Sequence, residues 1–173
     1  MVTKVYGTQG VDKVQDNVIA TADLQDGAVT AAKIASGVAG TGPAFSAYQS
    51  SGQVIGASVA TKIQFQTEVF DTAAAFDSTT NYRFTPLVAG YYQATGGIYF
   101  GAGAQGNQLY IYKNGSNYLN NAYISANGTT ITGLVYLNGS TDYIELWCYL
   151  VSGSTLSGIS SNTYFLASMV RGS

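Results

Sequence analysis

Tyr82-Arg83-Phe84-Thr85-Pro86-Leu87-Val88-Ala89-Gly90-Tyr91-Tyr92-Gln93 lies near the middle of a chain of 173 residues. It runs into an alternation in which Ala94, Gly96, Ile98 and Phe100 interleave with Gln93, Thr95 and Tyr99. A period of two puts each set on one face of a sheet. Working outward, Ile63, Phe65, Thr67 and Val69 alternate with Gln64, Gln66 and Glu68 upstream, and Ile131, Gly133, Val135 and Leu137 alternate with Thr132, Leu134 and Tyr136 downstream. Asn114-Gly115, Asn127-Gly128 and Asn138-Gly139 fall between such runs, where both residues can take positive φ and close a hairpin. Each pair precedes Ser or Thr and so formally spells a glycosylation sequon, but turn geometry accounts for all three. Short strands at these intervals, with no amphipathic helical pattern after Pro43, predict an all-β sandwich or barrel.

The composition supports a packed core. Only 9% of residues are charged while 46% are hydrophobic, the opposite of the balance that keeps a chain disordered. Seven basic and nine acidic residues give a net charge of -2, without the clustered Lys and Arg that neutralise phosphates, so nucleic-acid binding is not expected. There is no apolar run long enough to span a bilayer, and no basic-then-apolar signal at Met1, so neither membrane insertion nor signal-directed secretion is expected.

Catalytic chemistry finds few residues. Cys148 is the single cysteine, in step with Ile144, Leu146 and Leu150, and reads as a small buried hydrophobe. The chain has no His, which removes Ser-His-Asp triads, a base for a cysteine nucleophile and the commonest metal ligand. After Pro43 the acids are Glu68, Asp71, Asp77, Asp142 and Glu145; a glycosidase would need two of them flanking a bond. The expectation is a protein without enzymatic activity and without a cofactor.

Ser36-Gly37-Val38-Ala39-Gly40-Thr41-Gly42-Pro43 reads as a linker and divides the chain into residues 1–43 and 44–173. Within the first part, Asp16-Asn17-Val18-Ile19-Ala20-Thr21-Ala22-Asp23-Leu24-Gln25 aligns with Asp26-Gly27-Ala28-Val29-Thr30-Ala31-Ala32-Lys33-Ile34-Ala35. A unit this short cannot bury Val18, Ile19, Leu24, Val29 and Ile34 by itself, so it calls for copies from neighbouring chains or for a docking partner. The repeat is similar to those found before the terminal knob of phage tail-fibre proteins. It is expected to serve as an attachment segment to other virion proteins.

The stretch quoted first resembles the C1q-like globular head in its bacteriophage form. Phe84, Gly90 and Tyr92 match that signature. Pro86 stands one position early against the vertebrate spelling but fits the phage-type Arg-Phe-Thr-Pro followed by Ala-Gly-Tyr-Tyr-Gln. Thr61 to Phe65 and Glu68 to Thr72 upstream, then Ile111 to Ser116, Leu137 to Leu146 and Thr163 to Val170 downstream, resemble the other strands in order. The collagen stalk of complement proteins is absent, so immune function does not carry over.

The resemblance implies a ten-stranded C1q/TNF-like jelly roll that packs as a homotrimer. It also implies a virion surface protein, made in the host cytoplasm. Some members of the family bind calcium near the trimer axis; Asp71 and Asp77 are the weak candidates here, without a dense acidic loop around them, so no metal site is expected. Independently, Tyr118, Asn120, Asn121 and Tyr123 combine amides, which donate and accept, with rings that stack on sugars, and form the candidate glycan site. Two readings follow. The chain is a fibre or spike head for host attachment, or a capsid-decoration (cement) protein anchored to the shell by its N-terminal segment.

Overall fold

The computed structural model describes residues 42–100, 108–121 and 127–173. Those residues form thirteen strands and no helix: β1 (Ala44–Tyr48), β2 (Gln53–Ile55), β3 (Thr61–Lys62), β4 (Thr67–Asp71), β5 (Phe76–Asp77), β6 (Arg83–Phe84), β7 (Ala89–Tyr99), β8 (Gln108–Lys113), β9 (Ser116–Asn120), β10 (Gly128–Asn138), β11 (Ile144–Tyr149), β12 (Ser154–Leu156) and β13 (Tyr164–Gly172). The number exceeds ten because several, such as β3, β5 and β6, are fragments of two residues. A five-stranded sheet runs β10-β7-β13-β1-β4, a second runs β5-β6-β11-β8-β9 with β3 also on β11, and β12 pairs with β2. Every strand pairing is antiparallel.

The core fills the space between the two large sheets. Alternation along β7 turns Tyr92, Ala94 and Ile98 inward, while β11 contributes Ile144, Leu146 and Cys148 from the other side. Phe45 of β1 stacks on Phe76 and Phe84 at 4.5 Å each and meets Phe165 edge-on at 5.2 Å, so one ring ties both sheets together. Burying such a side chain contributes about 1.5–3 kcal/mol.

Each residue of the deciding stretch has a physical reason to be where it is. Phe84 is fully buried against Phe45. A Cβ on Gly90 would stand 2.5 Å from the Arg171 carbonyl oxygen, so glycine lets β13 approach. Tyr92 is buried and donates its hydroxyl to the Val88 carbonyl at 2.7 Å. β6 and β7 belong to different sheets, and Thr85 to Val88 carry the chain across.

Two local expectations are corrected. The run from Ile63 to Val69 is not one strand face: Ile63 and Phe65 are buried, but Val69 is 63% exposed. The chain changes sheets between β3 and β4, and Val69 is the unpaired residue of a bulge against Ser46 and Ala47. Of the three Asn-Gly pairs, Asn114-Gly115 closes a hairpin, with φ of 52° and 75°. Gly128 instead begins β10, opposite Tyr99, where a Cβ would meet the Ile98 carbonyl at 2.9 Å. Gly139 has φ 70° but sits in a crossover from β10 to β11, where Asn138 Oδ1 accepts N–H groups of Ser140, Thr141 and Asp142 at 3.0 Å each.

Candidate functional site: two unlike sheet faces

The outward positions of the five-stranded sheet alternate with the core residues and are mostly uncharged, with Arg171 of β13 opposite Tyr91. Ser46, Gln93, Thr95, Thr132, Leu134 and Leu166 lie among Tyr48, Tyr91, Tyr99, Tyr136 and Tyr164. Thr95 and Thr132 share a hydroxyl hydrogen bond of 3.0 Å, and the Tyr91 and Tyr136 rings lie 5.4 Å apart. Those two rings, with Leu134, Val170 and Arg171, line a hollow of about 520 Å³ at one end. A second hollow of about 360 Å³ at the other end is lined by Tyr99, Tyr164, Gly97, Thr130 and Asn162.

The outward face of the six-stranded sheet is different, because it carries paired charges. Glu145 is 4% exposed; its carboxylate accepts from Lys62 Nζ and from Trp147 Nε1, both at 2.9 Å. Tyr112 stacks on Trp147 at 4.7 Å, and Arg83 lies 4.3 Å over the Tyr143 ring. Glu145 entered the sequence reading only as one acid among five. The period-two spacing of Glu145 and Trp147 places both on one strand face in the sequence, but their meeting with Tyr112, Tyr110 and Lys62 is set by the register of β11 with β8 and β3.

The sequence-derived glycan candidates are divided by the structure. Tyr118 is 46% exposed, and its hydroxyl donates to the Leu134 carbonyl at 3.4 Å. Lys113 Nζ donates to the Tyr136 carbonyl at 2.7 Å, so side chains from the second sheet cover the open edge of β10. Asn121 Oδ1 accepts from Leu109 N at 2.7 Å while its Nδ2 donates to Thr129, which commits both ends of the amide to strand contacts. Asn120 is exposed on β9, opposite Tyr110. Tyr123 and the attachment residues Val18, Ile19, Leu24, Val29 and Ile34 lie outside the described residues.

The weak metal candidates act as caps for the chain's own turns. Asp71 accepts from Ala73 N at 3.1 Å and Phe76 N at 2.7 Å. Asp77 accepts from the N–H groups of Thr80, Thr79 and Asn81, and these bonds hold its carboxyl well below the usual carboxylate range. Among the described residues no three acids or cysteines converge on a metal-sized site, and no helix is long and apolar enough to cross a membrane. Cys148 is fully buried, and loss of water pushes its thiol up to about 12.

This two-sheet topology decides the comparison with known structures. Murine APRIL at pH 8.0 superposes with a TM-score of 0.58 at 13% identity, covering 72% of this chain and 96% of that one. The globular domain of zebrafish complement 1qA gives 0.51 at 15% identity, covering 76% and 99%. The fold is the TNF/C1q-like jelly roll. The vertex protein P5 of phage PRD1 shares this jelly roll, with a TM-score of 0.51 at 19% identity over 75% of this chain and 97% of that one. No protein-family model and no curated protein sequence matches the chain.

Proposed function

We propose that this chain is a non-enzymatic virion surface protein whose jelly-roll head assembles as a homotrimer and displays surfaces for attachment to host glycans. The observation that carries the reading is the charge-poor, tyrosine-rich outward face of the five-stranded sheet, with Tyr91, Tyr99 and Tyr136 each about two-fifths exposed. A monomer would leave these rings and the hollow beside them in water, whereas copies of the chain bury them, and aromatic residues are enriched where protomers meet. Residues 1–43, the repeat segment with its Gly-rich linker, then attach the head to other virion proteins. Sedimentation should give a species of three times 18.1 kDa; a stable monomer at micromolar concentration overturns the assembly.

A capsid-decoration role is the second reading, and the likeness to a protein named for its place at a vertex supports it. A chain beginning at Gly42 tests the anchor, because it keeps the Pro43 carbonyl that accepts Met169 N at 3.1 Å. It should fold and trimerise but fail to enter particles. The location of the intact protein in a virion reconstruction separates shell from tail.

A further inference from the structure

We infer that the glycan-recognising surface of this head is the outward face of the six-stranded sheet, along the cross-strand row Asn120, Tyr110, Trp147 and Lys62, and that it takes an uncharged oligosaccharide. The inference rests on the attachment reading above and locates its site. Register places these residues directly opposite one another across four strands: Asn120 faces Tyr110, Tyr110 faces Trp147, and Trp147 faces Lys62. At a strand spacing of about 4.8 Å the row extends roughly 14 Å, the reach of an oligosaccharide rather than of one sugar ring.

The row is set before a ligand arrives. Glu145 is almost fully buried and holds the Lys62 ammonium and the Trp147 indole N–H with its two oxygens, each at 2.9 Å. Lys62 Nζ also donates to the Asn81 carbonyl at 3.0 Å. Tyr112, opposite Glu145, braces the Trp147 ring by stacking. Side chains already fixed lose little freedom on binding, which favours recognition by a shallow surface.

The chemistry of the face selects the ligand class. The Lys62 cation is neutralised by Glu145, so no net charge is left along the row to draw an anionic glycan. Exposed amides of Asn117 and Asn120 at one end donate and accept, as sugar hydroxyls require, and half-buried Tyr110, Tyr112 and Trp147 offer apolar ring surface. This sheet also faces away from the charge-poor side assigned to assembly, so each copy of a trimer presents the row outward and weak sites multiply.

Trp147 is the chain's single tryptophan, so indole fluorescence of the unmodified protein reports this face alone. The probe is an array of uncharged and acidic trisaccharides, followed by fluorescence titration of whatever is retained. Retention of uncharged trisaccharides, a shift in Trp147 emission, and at least a tenfold affinity loss in the Asn117→Ala/Asn120→Ala double variant, with its thermal midpoint unchanged, are expected. Retention without an emission change, insensitivity to the double variant, or retention of acidic sugars alone overturns the inference while leaving attachment intact. Empty arrays from a protein that still adsorbs to host cells overturn it likewise. Failure of the intact protein to adsorb to those cells at all overturns the attachment reading on which it rests.

Discussion

Lys62 Nζ stands 2.9 Å from Glu145 Oε1, with the lysine side chain 31% and the glutamate side chain 5% exposed. The pair joins β3 to β11, a contact of only two register partners, Lys62 with Trp147 and Thr61 with Cys148. Its asymmetry decides what mutation does. Removing the lysine strands a carboxylate with little access to water, whereas removing the glutamate leaves a cation that can still reach solvent.

Lys62→Met should therefore destabilise the head by about 2 kcal/mol, below the full cost of breaking a buried pair because solvent already screens the lysine. The Lys62→Met/Glu145→Met double variant should lose less than the single one. Denaturant unfolding at fixed protein concentration measures both. Equal losses would mean that the stranded charge is not the cause.

Gly115 and Gly139 share positive φ, at 75° and 70°, but not their surroundings. A Cβ on Gly115 meets nothing closer than the Tyr143 hydroxyl at 3.5 Å, while one on Gly139 runs into the backbone of Val88 and Ala89. Gly115→Ala should cost about 1 kcal/mol for the left-handed conformation alone. Gly139→Ala adds a backbone clash and should cost about 3 kcal/mol. Thermal melts of the two variants would show similar losses if φ alone mattered.

Alkaline pH should weaken the fold. Burial pushes both the Cys148 thiol and the Tyr92 hydroxyl up to about 12. An unfolded chain releases these protons at their ordinary values, roughly 8.5 for a thiol and 10 for a phenol, while the native chain keeps them. Stability is thus unaffected at neutral pH and falls as the pH climbs from about 9 towards 12. A thiol reagent at pH 8 should leave Cys148 unmodified until denaturant is added; prompt labelling of the folded protein would contradict its burial.

Acid should act through Asp77 and Asp142. Backbone N–H groups, Thr80 first, hold the Asp77 carboxyl below its usual range, and the Lys113 ammonium does the same for Asp142 at 2.8 Å. Groups lowered in the native state stabilise it above their unfolded values and lose that contribution as the pH falls through the native ones. Unfolding midpoints should therefore decline below about pH 4. The Asp77→Asn variant should show a smaller decline than the parent; an identical profile would remove Asp77 from the account.

Fold class was legible because burial on one face imposes a period of two, and β7 and β10 carry it for eleven residues each. Phe84, Gly90 and Tyr92 were legible for a related reason, since a stacked ring, a close backbone approach and a buried hydroxyl each permit few residue types. The Asn-Gly pairs were less so: the dipeptide specifies a tight bend in the backbone, and Gly139 uses that freedom in a crossover, not a hairpin. Among Tyr118, Asn120, Asn121 and Tyr123, composition does not show that the Asn121 amide is occupied by Leu109 and Thr129.

The sequence by itself determined that this chain is all-β, poor in charge and without histidine. Those properties follow from composition and from short-range periodicity, which one strand can express alone. Only the tertiary structure decided that Lys62, Glu145 and Trp147 meet across β3 and β11, although Lys62 and Glu145 lie 83 residues apart. Register between distant strands, which depends on how both sheets close over the core, sets that meeting, and no local pattern in either strand encodes its partner.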